Sequence, residues 1–425
     1  MFFDPKTPCT VYMKLVARFL MAGVVMAALF TLLVTAVCLI PFDSIDDNTH
    51  VSAHEVVQDS TMFNASVAIF KPFKVGDFTD GLMLDIAWCV DSHHPFQSAM
   101  TTPFVMMDGS PVHGMLRLAD KQDTTGMVRA HYGRYWHGNQ AFLRPLLTVS
   151  SVHDIRWCNI ILMALLWIQL LWLMWQRVSP GDALAVCIPM LLIMIPSVPL
   201  CMNYVPTFYI ALLAGQLMLS WRRLTATASN AAVYFFIIGG CTAFLDLLTT
   251  PMVAMAIPLF IYMLYCRPRR ACAAVVAMSL AWLAGYASLW AVKWLITSLT
   301  TGSSMLGEVQ GVMALRMRGV HEETYMSYCL MRTLQALGLF WALMAAMMLV
   351  FGKSRKRLRE NVWMLLLAMS SFVWVFVLLQ HSWHHSHFTW RTMLVALVGA
   401  VLYCCHSMQW RQPFKILRGK GGDGA

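Results

Sequence analysis

Ten apolar blocks of roughly 17 to 26 residues run along this chain, and each matches the length needed to cross about 30 Å of hydrocarbon at 1.5 Å per residue. The expected spans are 15–40, 158–175, 183–201, 204–220, 231–249, 251–266, 271–296, 333–351, 361–380 and 391–408. One such block could be a buried helix of a soluble protein, but ten could not. The composition agrees, with 12% charged residues against about 25% in soluble domains, and a mean hydropathy of +0.61. Too little polar surface remains to coat a water-soluble body. Lipid-facing segments must satisfy every backbone group internally, so the blocks are expected to be helices. The fold class predicted is an all-α membrane protein of about ten transmembrane helices.

The net charge of +10 does not point to nucleic acid, because the basic residues sit between apolar blocks. With the N-terminus cytoplasmic, the inner connections carry Arg177, Arg222, Arg223, Arg267, Arg269, Arg270 and the run from Lys353 to Arg359. The short outer connections 202–203 and 250 carry no Lys or Arg. This asymmetry is the positive-inside pattern, and it predicts both termini in the cytoplasm of a cell-membrane protein. The expected organisation is a cytoplasmic N-terminus 1–14, a first span 15–40, an extracytoplasmic loop module 41–157, a nine-helix bundle 158–408 and a basic cytoplasmic tail 409–425. The first block is too long for a signal-peptide core and ends in Pro41-Phe42-Asp43, so it reads as a retained anchor. Short helices are expected in the module at 52–60 and 79–90. Most of the 12 cysteines lie in apolar blocks as small hydrophobes, and no CxxC pair occurs. Cys89, Cys158 and Cys329 fall on outer segments, with their pairing open.

The outer side gathers the unusual polar residues, including 13 of the 14 histidines, all but His406. Asp77 and Asp80 in Gly76–Asp85 sit at helix-start spacing, where Asp77 or Thr79 could cap and Asp80 could face the dipole. The functional reading makes one of these carboxylates a general base or a metal ligand. Asp43, where the first span leaves the membrane, is read as a helix-end turn or a catalytic acid–base group. His131–Gly138 and Arg144 combine Arg134, Tyr135, Trp136 and His137; they form an interfacial aromatic belt or a site that stacks on sugar and forks onto oxyanions. Tyr286, Trp290, Lys293 and Trp294 share one face of the seventh span. Lys293 is either snorkelling or aimed at a lipid phosphate, and Asp246 could pair with it or with Arg391. His381, His384 and His385 have the HxxHH spacing of a histidine box, but only one box is present and no HxxxH accompanies it. An anion site beside Arg391 and an interfacial cluster are the competing readings.

One long outer loop after the first helix, followed by a short-looped bundle, resembles the architecture of the glycosyltransferase C superfamily. The resemblance implies a polyprenyl-phosphate sugar donor, a cell-envelope glycan acceptor and chemistry at the outer membrane face. It further implies Asp43, Asp77 or Asp80 as catalytic carboxylates. Lys293, Arg391, His381 and His385 become phosphate-side groups, with Arg134, Tyr135, Trp136, His137, Arg144, Asp246 and Trp290 completing the substrate-binding set. No metal ligands are assigned, and a divalent ion is left open as a cofactor. The stretches GDFTDGLMLDIA, FLDLLTTP and HSWHHSHFTWR resemble a group of uncharacterised bacterial multi-pass membrane proteins. A transporter or flippase for a lipid-linked or anionic substrate and a histidine-box enzyme are the alternatives to glycosyl transfer.

Overall fold

A computed structural model describes residues 9–66, 75–195, 197–317, 338, 341–342, 344–347, 351–353 and 355–413. Five stretches are long and apolar enough to cross a membrane: α1 (Cys9–Cys38), α7 (Val152–Arg177), α10 (Ala228–Leu245), α12 (Ala271–Thr301) and Ser386–Ser407. Four shorter apolar helices accompany them, namely α8 (Pro180–Met194), α9 (Val205–Ser220), α11 (Pro251–Cys266) and α14 (Val362–Val377). The last long stretch ends in α16 (Leu394–Ser407). Leu20, Met21, Val24 and Leu32 on α1 and Ile161, Leu165 and Trp172 on α7 are exposed, an apolar surface that water would not tolerate at this size. The chain has the build of an all-α, multi-pass membrane protein.

Details depart from the expected spans. The span 333–351 lies largely outside the described residues. The span 183–201 is helical only to Met194, because Ile195 precedes a proline and adopts the extended backbone (φ −81°, ψ 135°) that proline imposes on its neighbour. A 3-10 turn at Val198–Leu200 follows.

The stretch between α1 and α7 contains more structure than expected. It holds α2 (Asp46–Ser66), α3 (Asp77–Trp88), α4 (Pro95–Thr101), α5 (Pro111–Ala119) and α6 (Gln140–Leu147). Strands β1 (Pro103–Met106) and β2 (Val128–His131) pair antiparallel, Phe104 opposite Ala130. A second small ladder joins Phe351–Lys353 to Met408–Pro413. Ile45, Val56, Leu84, Met115 and Leu147 bury one another in a core separate from that of the bundle. Cys89 and Cys158 are free thiols, and Cys329 lies outside the described residues.

The bundle is built on direct backbone contact between α10 and α12. A methyl on Gly239 would overlap the Trp282 carbonyl, and one on Gly285 would overlap the Phe236 carbonyl. Small residues allow this approach where lipid gives helices no hydrophobic reason to associate. Polar clasps then hold the α2–α6 stretch to the bundle. Lys293 of α12 donates to the carbonyls of Ala99 (3.1 Å) and Met100 (2.9 Å) at the end of α4. Trp136 Nε1 donates to Leu289 O at 2.8 Å, and the Gly138 amide donates to Phe244 O at 2.9 Å.

Candidate functional site

Where the α2–α6 stretch meets the bundle, residues from nine segments form one polar cluster. Its first part is a buried ion-pair network. Arg156, in the first turns of α7, donates from Nη1 to Asp59 at 2.8 Å and from Nη2 to Asp80 at 3.0 Å. Asp80 is fully buried, and the amides of Met202 and Asn203 face its carboxylate. Asp59 is also 3.1 Å from His153.

The second part surrounds Arg391, which is fully buried. Its Nη1 donates to His387 O at 3.0 Å, its Nη2 to the Ser197 hydroxyl, and its guanidinium lies 4.2 Å from the Tyr204 ring centre. Its Nε has no partner among the described residues. Tyr204 leads by ring contacts to Phe388 (6.1 Å), which stacks on His385 (5.0 Å), which meets His381 (4.7 Å).

The third part runs along α12. Trp282, Tyr286 and Trp290, four residues apart, stack at centroid distances of 4.9 and 5.7 Å. Trp282 Nε1, Tyr286 Oη and Trp290 Nε1 are buried donors without partners among the described residues. Tyr286 lies within electrostatic reach of Asp246, Tyr135 and Arg316. Arg316, on α13 (Met305–Met317), donates from Nη1 to the Tyr135 hydroxyl at 2.9 Å. Asp246, the residue that ends α10, accepts from the Thr249 amide at 3.0 Å and from its hydroxyl through Oδ1 alone. Its Oδ2 is buried and makes no hydrogen bond among the described residues, and the amides of Leu248 and Thr250 also face the carboxylate.

Three of the imidazoles, His381, His385 and His137, are neutral near pH 7. Burial, with Arg316 and neighbouring histidines repelling a further proton, lowers His381 to about 4 and His385 well below the usual imidazole range. His137, buried behind Tyr132 and near Lys293, is lowered to about 3 by the same desolvation.

Several sequence expectations are revised by these positions. Gly76, not Asp77 or Thr79, occupies the N-cap of α3, and Asp77 is a half-buried first-turn residue. Asp80 is locked to Arg156 instead of facing an opening. Asp43 is exposed on a 3-10 turn beyond α1 and shares none of these contacts. Arg144 is a structural cap: it donates to Val37 O (3.0 Å), Ile40 O (2.6 Å) and Ala87 O at the ends of α1 and α3, while buried. Lys293 likewise holds α4, so the expected Asp246–Lys293 pair gives way to Asp246–Thr249. Arg134 is half-buried and pairs with Glu308 at 2.8 Å over the Tyr132 ring. Trp136 is buried beside Phe30 and Phe244. The histidine triplet does not converge, since His384 is exposed and His381 Nε2 lies 2.9 Å from the Leu248 carbonyl. Among the described residues no group of three or more His, Cys, Asp or Glu is arranged to hold a metal ion.

The cluster thus unites Asp80, Asp246, Tyr135, Tyr286, Trp290, His381, His385 and Arg391 from the sequence reading. It adds Asp59, Arg156, Tyr204 and Arg316. Arg156 was accessible to inspection as an arginine at the start of an apolar helix, a costly place unless paired. Arg316 carried no such signal. The chain matches no family model, no curated protein and no solved structure.

Proposed function

We propose that this chain is a multi-pass membrane glycosyltransferase, with both termini cytoplasmic and residues 41–157 on the extracytoplasmic side. It moves a sugar from a polyprenyl-phosphate donor to a cell-envelope glycan. The observation that carries the reading is the Asp246 carboxylate, buried with one oxygen unengaged among the described residues and within electrostatic reach of Tyr286, itself near Arg316.

A buried carboxylate with a free oxygen is suited to accept a proton, and general bases contribute roughly 10²–10⁴ in rate. In the proposed step, Asp246 Oδ2 takes the proton of an acceptor hydroxyl, whose oxygen bonds to the anomeric carbon. The bond from that carbon to the phosphate oxygen breaks, and polyprenyl phosphate departs with the electron pair. Arg391, whose Nε is available, and Arg316 stabilise the charge that develops. The stacked Trp282, Tyr286 and Trp290 offer ring faces and hydrogen-bond donors of the kind that hold a sugar. This moves the base from the three aspartates favoured by sequence to Asp246.

The test is turnover of a panel of polyprenyl-phosphate sugars by the purified protein in proteoliposomes, read as release of polyprenyl phosphate. Asp246→Asn is expected to lower kcat by about 10²–10⁴, while Asp43→Asn leaves it within a few fold. Full activity in Asp246→Asn rejects the base, and failure of the wild type on every donor rejects the reaction class. Reporter fusions at each terminus check the orientation independently.

A further inference from the structure

At the other end of the bundle lies a cavity of about 860 Å³ that this reading does not use. The helix α16 separates the two: Arg391 precedes its start and His406 lies in its last turn, so a rise of 1.5 Å per residue puts them roughly 22 Å apart. Arg267, Arg269 and Arg270, from the turn between α11 and α12, all line the cavity and all are exposed. Arg269 and Arg270 make no hydrogen bond or ion pair with any described residue, and Arg267 uses only Nε, to Leu264 O at 3.3 Å.

The two acidic residues of the same wall are fewer than its three arginines and have partners of their own. Asp182 is 2.6 Å from His406 Nε2 and also accepts from the Ser179 hydroxyl at 2.7 Å, and Glu360 lies 4.0 Å from Lys356. Positive charge is therefore what the cavity presents.

Two helix starts converge on it as well. Arg270 is the N-cap of α12 and Asn361 that of α14, and neither side chain caps its own helix. The first-turn amides of a 31-residue and a 16-residue helix are left without side-chain caps beside the arginines. Uncapped amides and guanidinium forks are the two groups that proteins use to bind phosphate. The remaining wall is apolar, with Met263, Leu264, Trp363 and Met364. A cationic mouth over an apolar wall suits an amphiphile.

We propose that this cavity binds a phosphate ester anion, the headgroup of an anionic phospholipid, at the membrane face opposite the candidate site. The inference does not depend on the transferase reading.

The experiment is native mass spectrometry of the full-length, delipidated protein titrated with phosphatidylglycerol or phosphatidylcholine, with glycerol phosphate as competitor. Phosphatidylglycerol is expected to bind the wild type in preference to phosphatidylcholine. Arg269→Gln with Arg270→Gln is expected to weaken it roughly thirtyfold, the loss for two surface cations, while Asp246→Asn leaves it unchanged. The single variants, each expected at roughly fivefold, serve if the double variant does not fold. Competition by glycerol phosphate at matched concentration supports the anion site with a soluble source; lack of competition supports the lipid. Equal retention of phosphatidylglycerol by the wild type and the folded Gln variants overturns the proposal.

Discussion

Replacing Arg156 by Met distinguishes a structural Asp80 from a catalytic one. Asp80 is fully buried with Arg156 Nη2 3.0 Å away, and removing one partner of such a pair costs about 3–5 kcal/mol because the other charge is stranded. The carboxyl has one escape, which is to take up a proton. From an ordinary value of 3.8, protonation at pH 7 costs about 3.2 × 1.36, or roughly 4 kcal/mol, so the loss in Arg156→Met is capped near that figure. At pH 5 the same arithmetic gives about 1.2 × 1.36, or roughly 2 kcal/mol. The variant's Asp80 titrates above its unfolded value, so the deficit is smallest at low pH and grows as pH rises, until the cost of burying the charge is reached. Equilibrium unfolding in mixed micelles, followed by tryptophan fluorescence at pH 5 and 7, measures both numbers. Adding Asp80→Asn to Arg156→Met should return most of the lost stability and remove the pH dependence. A loss that is the same at both pH values, or a double variant no more stable than the single, refutes the reasoning. Should the stable double variant also retain full transfer, Asp80 has no catalytic part.

Three further outcomes follow from other contacts. Gly285→Ala places a methyl against the Phe236 carbonyl, and because backbone cannot yield as a side chain does, unfolding should show a loss at or above the 1–3 kcal/mol typical of overpacking. Burial raises the Asp85 carboxyl to about 7 despite hydrogen bonds from the Val105 amide and Cys89, so wild-type stability should fall between about pH 4 and pH 7, by up to roughly 4 kcal/mol. Asp85→Asn should flatten that slope in thermal melts, and an unchanged slope would remove Asp85 as its source. Arg144→Met removes the shared donor from three carbonyls at the ends of α1 and α3 and, since Val37 O keeps the Ile40 amide, strands Ile40 O and Ala87 O, at about 1–3 kcal/mol each; limited proteolysis should then cut near residues 39–45 faster than in the wild type.

Much of the helical plan was legible in the sequence because apolar block length is a property of single segments. The helices Val205–Ser220 and Pro251–Cys266 fall almost on the expected 204–220 and 251–266, with prolines near the start of each. The helix Cys9–Cys38, in contrast, begins ahead of the expected 15–40, since Lys14 and Arg18 are compatible with a helix even where they are unsuited to lipid. Side-chain roles were less legible, because they depend on which backbone groups happen to lie nearby. Lys293 reads as a phosphate ligand until the end of α4 is found against it. Arg144 reads as an oxyanion fork until two helix ends are found to need its donors. The Asp246 region was visible as an intramembrane carboxylate, whereas its engagement by Thr249 was not. The hairpin Pro103–Met106 with Val128–His131 escaped notice since four-residue strands carry little periodicity.

The Arg144 clasp also has a consequence in time. Arg144 follows Val37, whose carbonyl it holds, by 107 residues, so at about 5–20 residues per second the ribosome takes roughly 5–20 s to supply it. Throughout that interval the end of the first helix has only its own Leu39 and Ile40 amides, on the Ala36 and Val37 carbonyls, and lacks the guanidinium that joins Val37 O to Ile40 O. The intervening residues must fold and bring α6 back to the end of α1 before that helix end is complete. A nascent chain halted before residue 144 should therefore carry a frayed, protease-sensitive end of α1, whose completion waits on a residue made 107 positions later.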